Sequence, residues 1–196
     1  LAPFYAAVVA GVGSVMSAFH DLNGVPATGS SYLLTEILKH EMAFQGVVIS
    51  DWASVAELVN HRVAADRREA ARMALMAGVD MDMVDGCYQE HLVDLLASGD
   101  IDARRLDDAV RRVLMAKFQL GLFERPYTDP DLGAQVQFAA RHQALARTAA
   151  ARAAVLLENR GMLPLPKDTR RIAVIGPLAQ ERRALLGSWV LDGVVD

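Results

Sequence analysis

The stretch GVVISDW at residues 46–52 decides how the chain reads. Val47, Val48 and Ile49 are apolar on consecutive positions, the pattern of a strand covered on both faces. Such strands belong to parallel sheets flanked by helices, and their C-terminal ends carry the chemistry in barrels and doubly wound sheets alike. Here that end delivers Asp51 and then Trp52. A carboxylate so placed serves as nucleophile, general base or metal ligand, and an adjacent indole offers an apolar platform for a sugar ring. Asp51 would equally cap a following helix, and the local pattern favours neither role.

Working outward, the elements alternate. Residues 2–10 predict a helix stopped by Gly11 and Gly13, and SVMSAF (14–19) a short buried strand ended by the turn-like HDLNGVP (20–26). Ser30 or Ser31 caps a predicted helix reaching about Ala43, with Leu33, Leu34, Ile37, Leu38 and Met42 at helical spacing. Beyond Trp52 come a short helical stretch (54–60) and a longer helix (66–77) with Gly78 as its stop. Residues 79–84 form a third candidate strand, although Asp80 and Asp82 are unusual in a buried one. Residues 88–97 are amphipathic, and Asp102 caps a helix to about Gln119 with Leu106, Val110, Val113, Leu114 and Phe118 on one face. Strands alternating with helices imply an α/β fold with a parallel sheet. Three such units suit a barrel or a doubly wound sheet equally. A complete (β/α)₈ barrel needs about 250 residues, more than the 196 present.

From Gly121 the texture changes. Residues 121–133 carry Pro126, Pro130 and several charges, as a linker does. An Ala-rich helix over 135–157 follows, and IAVI (172–175) reads as a strand entering a new unit that the remaining residues are too few to complete. The chain opens on Leu1 with no leader pattern. Both ends are expected to lie inside a longer protein.

Composition narrows the partners. A net charge of −4 gives no reason to expect nucleic acid or an anionic membrane surface, and 53% hydrophobic with 22% charged residues argues against disorder. Cys87 is the single cysteine, which excludes an internal disulfide and a thiolate zinc site. No apolar run approaches the roughly 18 residues of a membrane span. Asp80, Asp82 and Asp85 fail the EF-hand pattern, since Val84 and His91 occupy ligand positions. Gly11-x-Gly13 and Gly176 never complete a dinucleotide loop, so neither metal nor organic cofactor is expected. His20 and His61 fall in loops near Asp51 and are expected as loop surface. The methionines at 73, 76, 81 and 83 read as core filler, Cys87 as structural, and the arginines of 67–72 and 104–112 as solvated helix faces.

The series VMSAFHDLNGVPA (15–27), GVVISDW (46–52), AGVDMDM (77–83), LDDAVRRVLMAKFQLGLFERPY (106–127) and VLLENRGMLPLP (155–166) resembles glycoside hydrolase family 3 in order and spacing. RIAVIGPLA (171–179) and LLGSWV (185–190) extend the likeness to the bacterial periplasmic β-glucosidase branch. The resemblance implies the C-terminal part of a TIM-like barrel over residues 1–120, a linker with a helix over 121–170 and the start of an α/β sandwich domain over 171–196. It makes Asp51 the catalytic nucleophile and Trp52 a lining of the sugar subsite, with Phe19 where some members carry a Tyr that contacts the nucleophile. Glu158 stands where a Lys is common. The family's Lys-His pair, its upstream Asp and Arg sugar ligands and its acid/base Glu belong to regions outside these residues.

The implied activity is that of a retaining, exo-acting β-glucosidase working on a β-glucoside or oligosaccharide without metal or cofactor. The whole protein is expected in the periplasm or secreted, with a homodimer as its expected assembly, and the isolated fragment is expected to be inactive. Trp52 argues against the N-acetylglucosaminidase members, which read SDD here, and against β-xylosidases, which tend to SDC. A non-catalytic relative keeping the fold is the remaining alternative.

Overall fold

The computed structural model describes residues 1–187, and the chain divides into two units, Leu1–Pro130 and Asp131–Asp196. In the first, α1 (Ala2–Val9) precedes β1 (Ser14–Met16). A two-residue antiparallel ribbon follows, β2 (Asp21–Leu22) against β3 (Val25–Pro26). Asn23 and Gly24 turn it with φ of 54° and 79°, the left-handed pair that a tight hairpin requires. The segment expected as a plain turn is therefore a hairpin. A 3₁₀ turn (Ala27–Gly29) leads into a helix over Tyr32–Glu41, and Ser30 Oγ accepts the Leu33 amide at its start.

That helix is π rather than α. Its i→i+5 winding puts Leu34 and Lys39 on one side, and both are buried. Alpha-helical spacing of the apolar residues alone does not anticipate this, because the buried lysine is what the wider turn accommodates.

The central strand β4 (Val47–Ile49) pairs in parallel with β1, with Ser14, Val15 and Met16 opposite Val47, Val48 and Ile49. Gly46 permits the approach: a Cβ there would lie 2.2 Å from the Gly13 carbonyl oxygen. On the other side of β4 the expected third strand shrinks to one parallel bridge, Ile49 to Met81. The acids flanking Met81 explain why, since their carboxylates are taken up by side-chain and amide contacts described below.

Between β4 and Met81 run α2 (Glu57–Asn60) and α3 (Arg67–Ala77). Asp66 caps α3 by accepting the Glu69 amide, and Gly78 ends it at φ 123°. The buried face of α3 is Ala70, Ala71, Ala74, Leu75 and Ala77. These small side chains let it lie close to α4 (Cys87–Ala97), whose Cys87 and Leu95 are buried. Then α5 (Ala103–Gln119) starts at its expected cap, Asp102, which accepts the Arg104 amide. Val48, Val55, Leu58, Leu75, Val79 and Leu95 are sealed at 0% exposure and form the centre of the core. The strand–helix–strand crossovers put the C-terminal ends of the parallel segments β1, β4 and Met81 on one edge.

In the second unit the single helix expected over 135–157 is two, α6 (Asp131–Val136) and α7 (Ala140–Ala153). Phe138, at φ 56°, separates them, because a left-handed residue cannot continue a right-handed helix. Residues 172–175 have no strand partner among the described residues, and Ile172, Val174 and Ile175 are exposed. A strand is defined by its ladder, so apolar sequence without a neighbouring strand does not form one. A 3₁₀ turn (Arg183–Leu186) follows, and half of the LLGSWV motif lies outside the described residues.

Candidate active site

Two strand ends converge on Asp51. The Ser17 amide donates to the Ile49 carbonyl at 2.9 Å, carrying the β1–β4 ladder one residue further. Phe19 and Asp51, each two residues beyond that bond, therefore leave adjacent parallel strands at the same edge. Asp51 is half-buried, Trp52 is 55% exposed and Phe19 39% exposed. The three candidate residues thus share the edge where parallel sheets place their chemistry.

The Trp52 amide donates to Asp51 Oδ1 at 2.7 Å. Asp51 Oδ2 accepts no hydrogen bond among the described residues. One oxygen is thus oriented by backbone and the other left available. The helix-capping alternative fails: α2 begins six residues later, at Glu57, with Ala56 as its N-cap.

The loop around Asp51 is tied down from both sides. Ser50 is fully buried, and its hydroxyl accepts the Met83 amide at 2.8 Å while donating to the Asp51 carbonyl at 3.0 Å. The Ala53 amide donates to the Met83 carbonyl at 3.1 Å, and the Ala56 amide to Asp85 Oδ2 at 2.8 Å. On the β1 side, Thr28 Oγ1 lies 2.9 Å from both Ser17 Oγ and Ser54 Oγ. None of these ties is legible from spacing.

Asp82, Asp85 and Cys87 bring their side-chain ligand atoms within 4.8 Å of one another. Burial, and then sharing with Asp85, raises the Asp82 carboxyl to about 6. Burial also works against ionisation of Asp85, but the amides of Ala56 and Cys87 outweigh it and hold that carboxyl below the usual range. Burial and the neighbouring Asp85 push the Cys87 thiol up to about 12. A thiol so raised is a poor metal ligand. The trio is better described as two carboxyls driven in opposite directions beside an inert thiol, and the buried Asp82 Oδ1 has no hydrogen-bond partner among the described residues.

Asp80 is a structural hub. Its side chain is fully buried and receives Lys39 Nζ at 2.7 Å, Arg105 at 3.0 Å and the Val48 amide at 2.9 Å. Burial lowers the Lys39 ammonium to about 8, against the opposing pull of Asp80. Two arginines expected in solvent are therefore inside. Arg105 also donates to the Leu75 and Val79 carbonyls, and Arg112 to those of Phe44 and Gly46. Other expectations fare unevenly: Cys87 is buried and His20 and His61 are exposed, as read, but Met76 and Met81 are exposed rather than core.

A family model described as the glycosyl hydrolase family 3 N terminal domain matches residues 1–116. The periplasmic β-glucosidase of Salmonella typhimurium is 43% identical over 99% of this chain, which covers 26% of that protein. A β-xylosidase of Formosa agariphila is 38% identical over 98% of this chain and 28% of its own length. Among solved structures, a β-glucosidase from Listeria innocua in complex with glucose superposes with a TM-score of 0.76 at 42% identity, over 83% of this chain and 22% of that one. The chain spans about a quarter of the length of these relatives. With more than half of its 196 residues matched by the family model and its strand-end carboxylate presented at the sheet edge, the chain belongs to glycosyl hydrolase family 3.

Proposed function

We propose that the chain is part of a retaining, exo-acting β-glucosidase that hydrolyses terminal β-D-glucosyl residues by double displacement, with Asp51 as the nucleophile. The observation that carries this is the placement of Asp51 at the C-terminal edge of β4, with Oδ1 held by the Trp52 amide and Oδ2 unengaged among the described residues. An ionised carboxylate in that position attacks the anomeric carbon. The glycosidic C–O bond breaks as the glycosyl–Asp51 ester forms, and the leaving oxygen takes a proton from a carboxylic acid contributed outside these residues. Water then attacks the same carbon from the opposite face, giving its proton to that carboxylate and releasing Asp51. Two inversions retain the configuration.

Trp52 and Phe19 line the sugar subsite in this reading, the indole supplying apolar area against the ring. The enzyme needs neither metal nor cofactor and takes a β-glucoside or oligosaccharide as its partner, with no nucleic acid or membrane partner. Residues 1–120 form the last part of a TIM-like barrel, 121–170 a linker and 171–196 the opening of an α/β sandwich domain. The end of the family-model match at residue 116, near the first of these boundaries, supports that division. A periplasmic or secreted location follows the Salmonella relative's name, and no described helix is long and apolar enough to cross a membrane. The complete enzyme is proposed as a homodimer.

The β-xylosidase relative supports a second reading, in which the sugar lacks the C5 hydroxymethyl group. Comparing aryl β-glucoside with aryl β-xyloside separates the two. The nucleophile itself is tested by treating the complete enzyme with a 2-deoxy-2-fluoro-β-glucoside and mapping the labelled peptide. The adduct is expected on Asp51, and an adduct on another residue overturns the assignment.

A further inference from the structure

We infer that Thr28 is a positioning residue for catalysis: its buried hydroxyl locks together the two loops that carry Phe19 and Asp51–Trp52. The inference rests on Asp51 being the nucleophile, but it concerns a residue outside the substrate's reach, 1% exposed and in a 3₁₀ turn.

Three hydroxyls meet at this point. Thr28 Oγ1 lies 2.9 Å from Ser17 Oγ, 2.9 Å from Ser54 Oγ and 3.3 Å from the Ala18 carbonyl oxygen. Ser17 and Ser54 are each 3% exposed. Thr28 owns one hydroxyl hydrogen. Given to Ser54, it leaves Thr28 Oγ1 to accept from Ser17, so a directed chain runs Ser17→Thr28→Ser54. Water does not reach these atoms, so the chain has no substitute.

Each end of the chain is anchored to a candidate residue. On one side, Ser17 continues the β1–β4 ladder and is two residues from Phe19. On the other, the Ser54 amide donates to the Asp51 carbonyl at 3.1 Å, closing the turn that contains Trp52. The hydroxyl network is the link on the β1 side, where the main-chain ladder ends at Ser17. Ser50 and Asp85 hold the opposite side of the same loop. Displacement of a reacting group by about 1 Å costs on the order of a hundredfold in rate, so a slack link here is read in the chemical step rather than in binding.

The test uses the complete enzyme and its inactivation by a 2-deoxy-2-fluoro-β-glucosyl fluoride, which reports attack by the nucleophile separately from binding. Thr28→Val keeps the shape and removes the hydroxyl. The inactivation rate constant and kcat should fall about 10- to 100-fold while the inactivator's dissociation constant stays within about threefold. Thr28→Ser should return both rates to within about threefold of the parent. Ser54→Ala cuts the same chain at its other end and should reproduce the effect without adding to it in the double variant. It also carries the test if Thr28→Val does not fold.

Unchanged kcat with only a lowered melting temperature in the folded variants makes Thr28 structural and overturns the inference. Failure of Thr28→Ser to rescue does the same. If the inactivator labels a residue other than Asp51 in the parent enzyme, the functional assignment falls and this inference with it. Labelling of Asp51 with normal rates in Thr28→Val removes this inference alone.

Discussion

Lys39 Nζ sits 2.7 Å from Asp80 Oδ1, with the two side chains 7% and 0% exposed. The π-helix reaches across the top of α3 through this contact, since Lys39 also donates to the Gly78 carbonyl at 2.7 Å. Arg105 of α5 meets the same carboxylate oxygen at 3.0 Å. One buried acid therefore joins three elements that are distant in sequence. Removing its charge leaves two cations without their counter-ion, and breaking a buried pair in this way costs about 3–5 kcal/mol. Asp80→Asn in the complete enzyme is expected to lose stability of that order in denaturant unfolding. A loss below about 1 kcal/mol would mean that the cluster is solvated, as exposed pairs are.

Asp51→Asn keeps the shape of the side chain and removes the charge proposed to attack the sugar. Losing a covalent nucleophile should lower kcat of the complete enzyme by on the order of 4–8 kcal/mol of barrier, several powers of ten. Glucose binding should change far less. A variant retaining more than about a tenth of the parent kcat, below roughly 1.4 kcal/mol, would remove Asp51 from the nucleophile's role.

The proposed glucoside reading makes Trp52 a selectivity residue, since by the family resemblance it stands where the N-acetylglucosaminidase members carry a second Asp. The ratio of kcat/KM for aryl β-glucosides over the matching β-N-acetylglucosaminides should exceed one. The reverse ratio contradicts the proposed substrate.

Asp82 supplies a pH dependence with a defined sign. Its folded carboxyl titrates at about 6 against an ordinary value of 3.8. Between those values the folded state holds the proton that the unfolded state has released. The contribution is favourable at low pH and is lost as pH rises through about 6. Asp82→Asn imitates the protonated form and still offers a donor to Asp85. The melting temperature of the variant should exceed that of the parent above pH 6 and converge with it below pH 4 in parallel thermal scans. A constant offset across that range would show that the carboxyl does not titrate there.

The isolated chain of residues 1–196 should melt without a sharp transition. Phe4, Tyr5, Met16, Phe118, Leu120 and Phe123 are all well exposed on the first unit, and among the described residues no strand pairs with β1 on the side away from β4. A cooperative monomeric melt by calorimetry would contradict this.

Much of the architecture was legible because it depends on neighbours in sequence. Three consecutive apolar residues marked β4, Asp66 and Asp102 marked helix starts by their reach to amides two or three residues on, and Gly78 marked a stop by its φ. The order of motifs identified the family, and Asp51 stood out because a carboxylate followed a doubly buried strand. What tertiary structure alone decided are bonds between residues far apart. Arg105 meets Asp80 across 25 residues, Thr28 meets Ser54 across 26 and Arg112 meets the Phe44 carbonyl across 68. An arginine on a polar helix reads as solvated whether or not a carbonyl waits behind it, and a threonine after Pro-Ala carries no periodic signal at all. Local sequence specifies the elements because propensity and capping act within one turn. The polar ties around the candidate nucleophile exist only once the sheet has closed and withdrawn them from water, where an unpaired hydroxyl or charge becomes costly enough to select its partner.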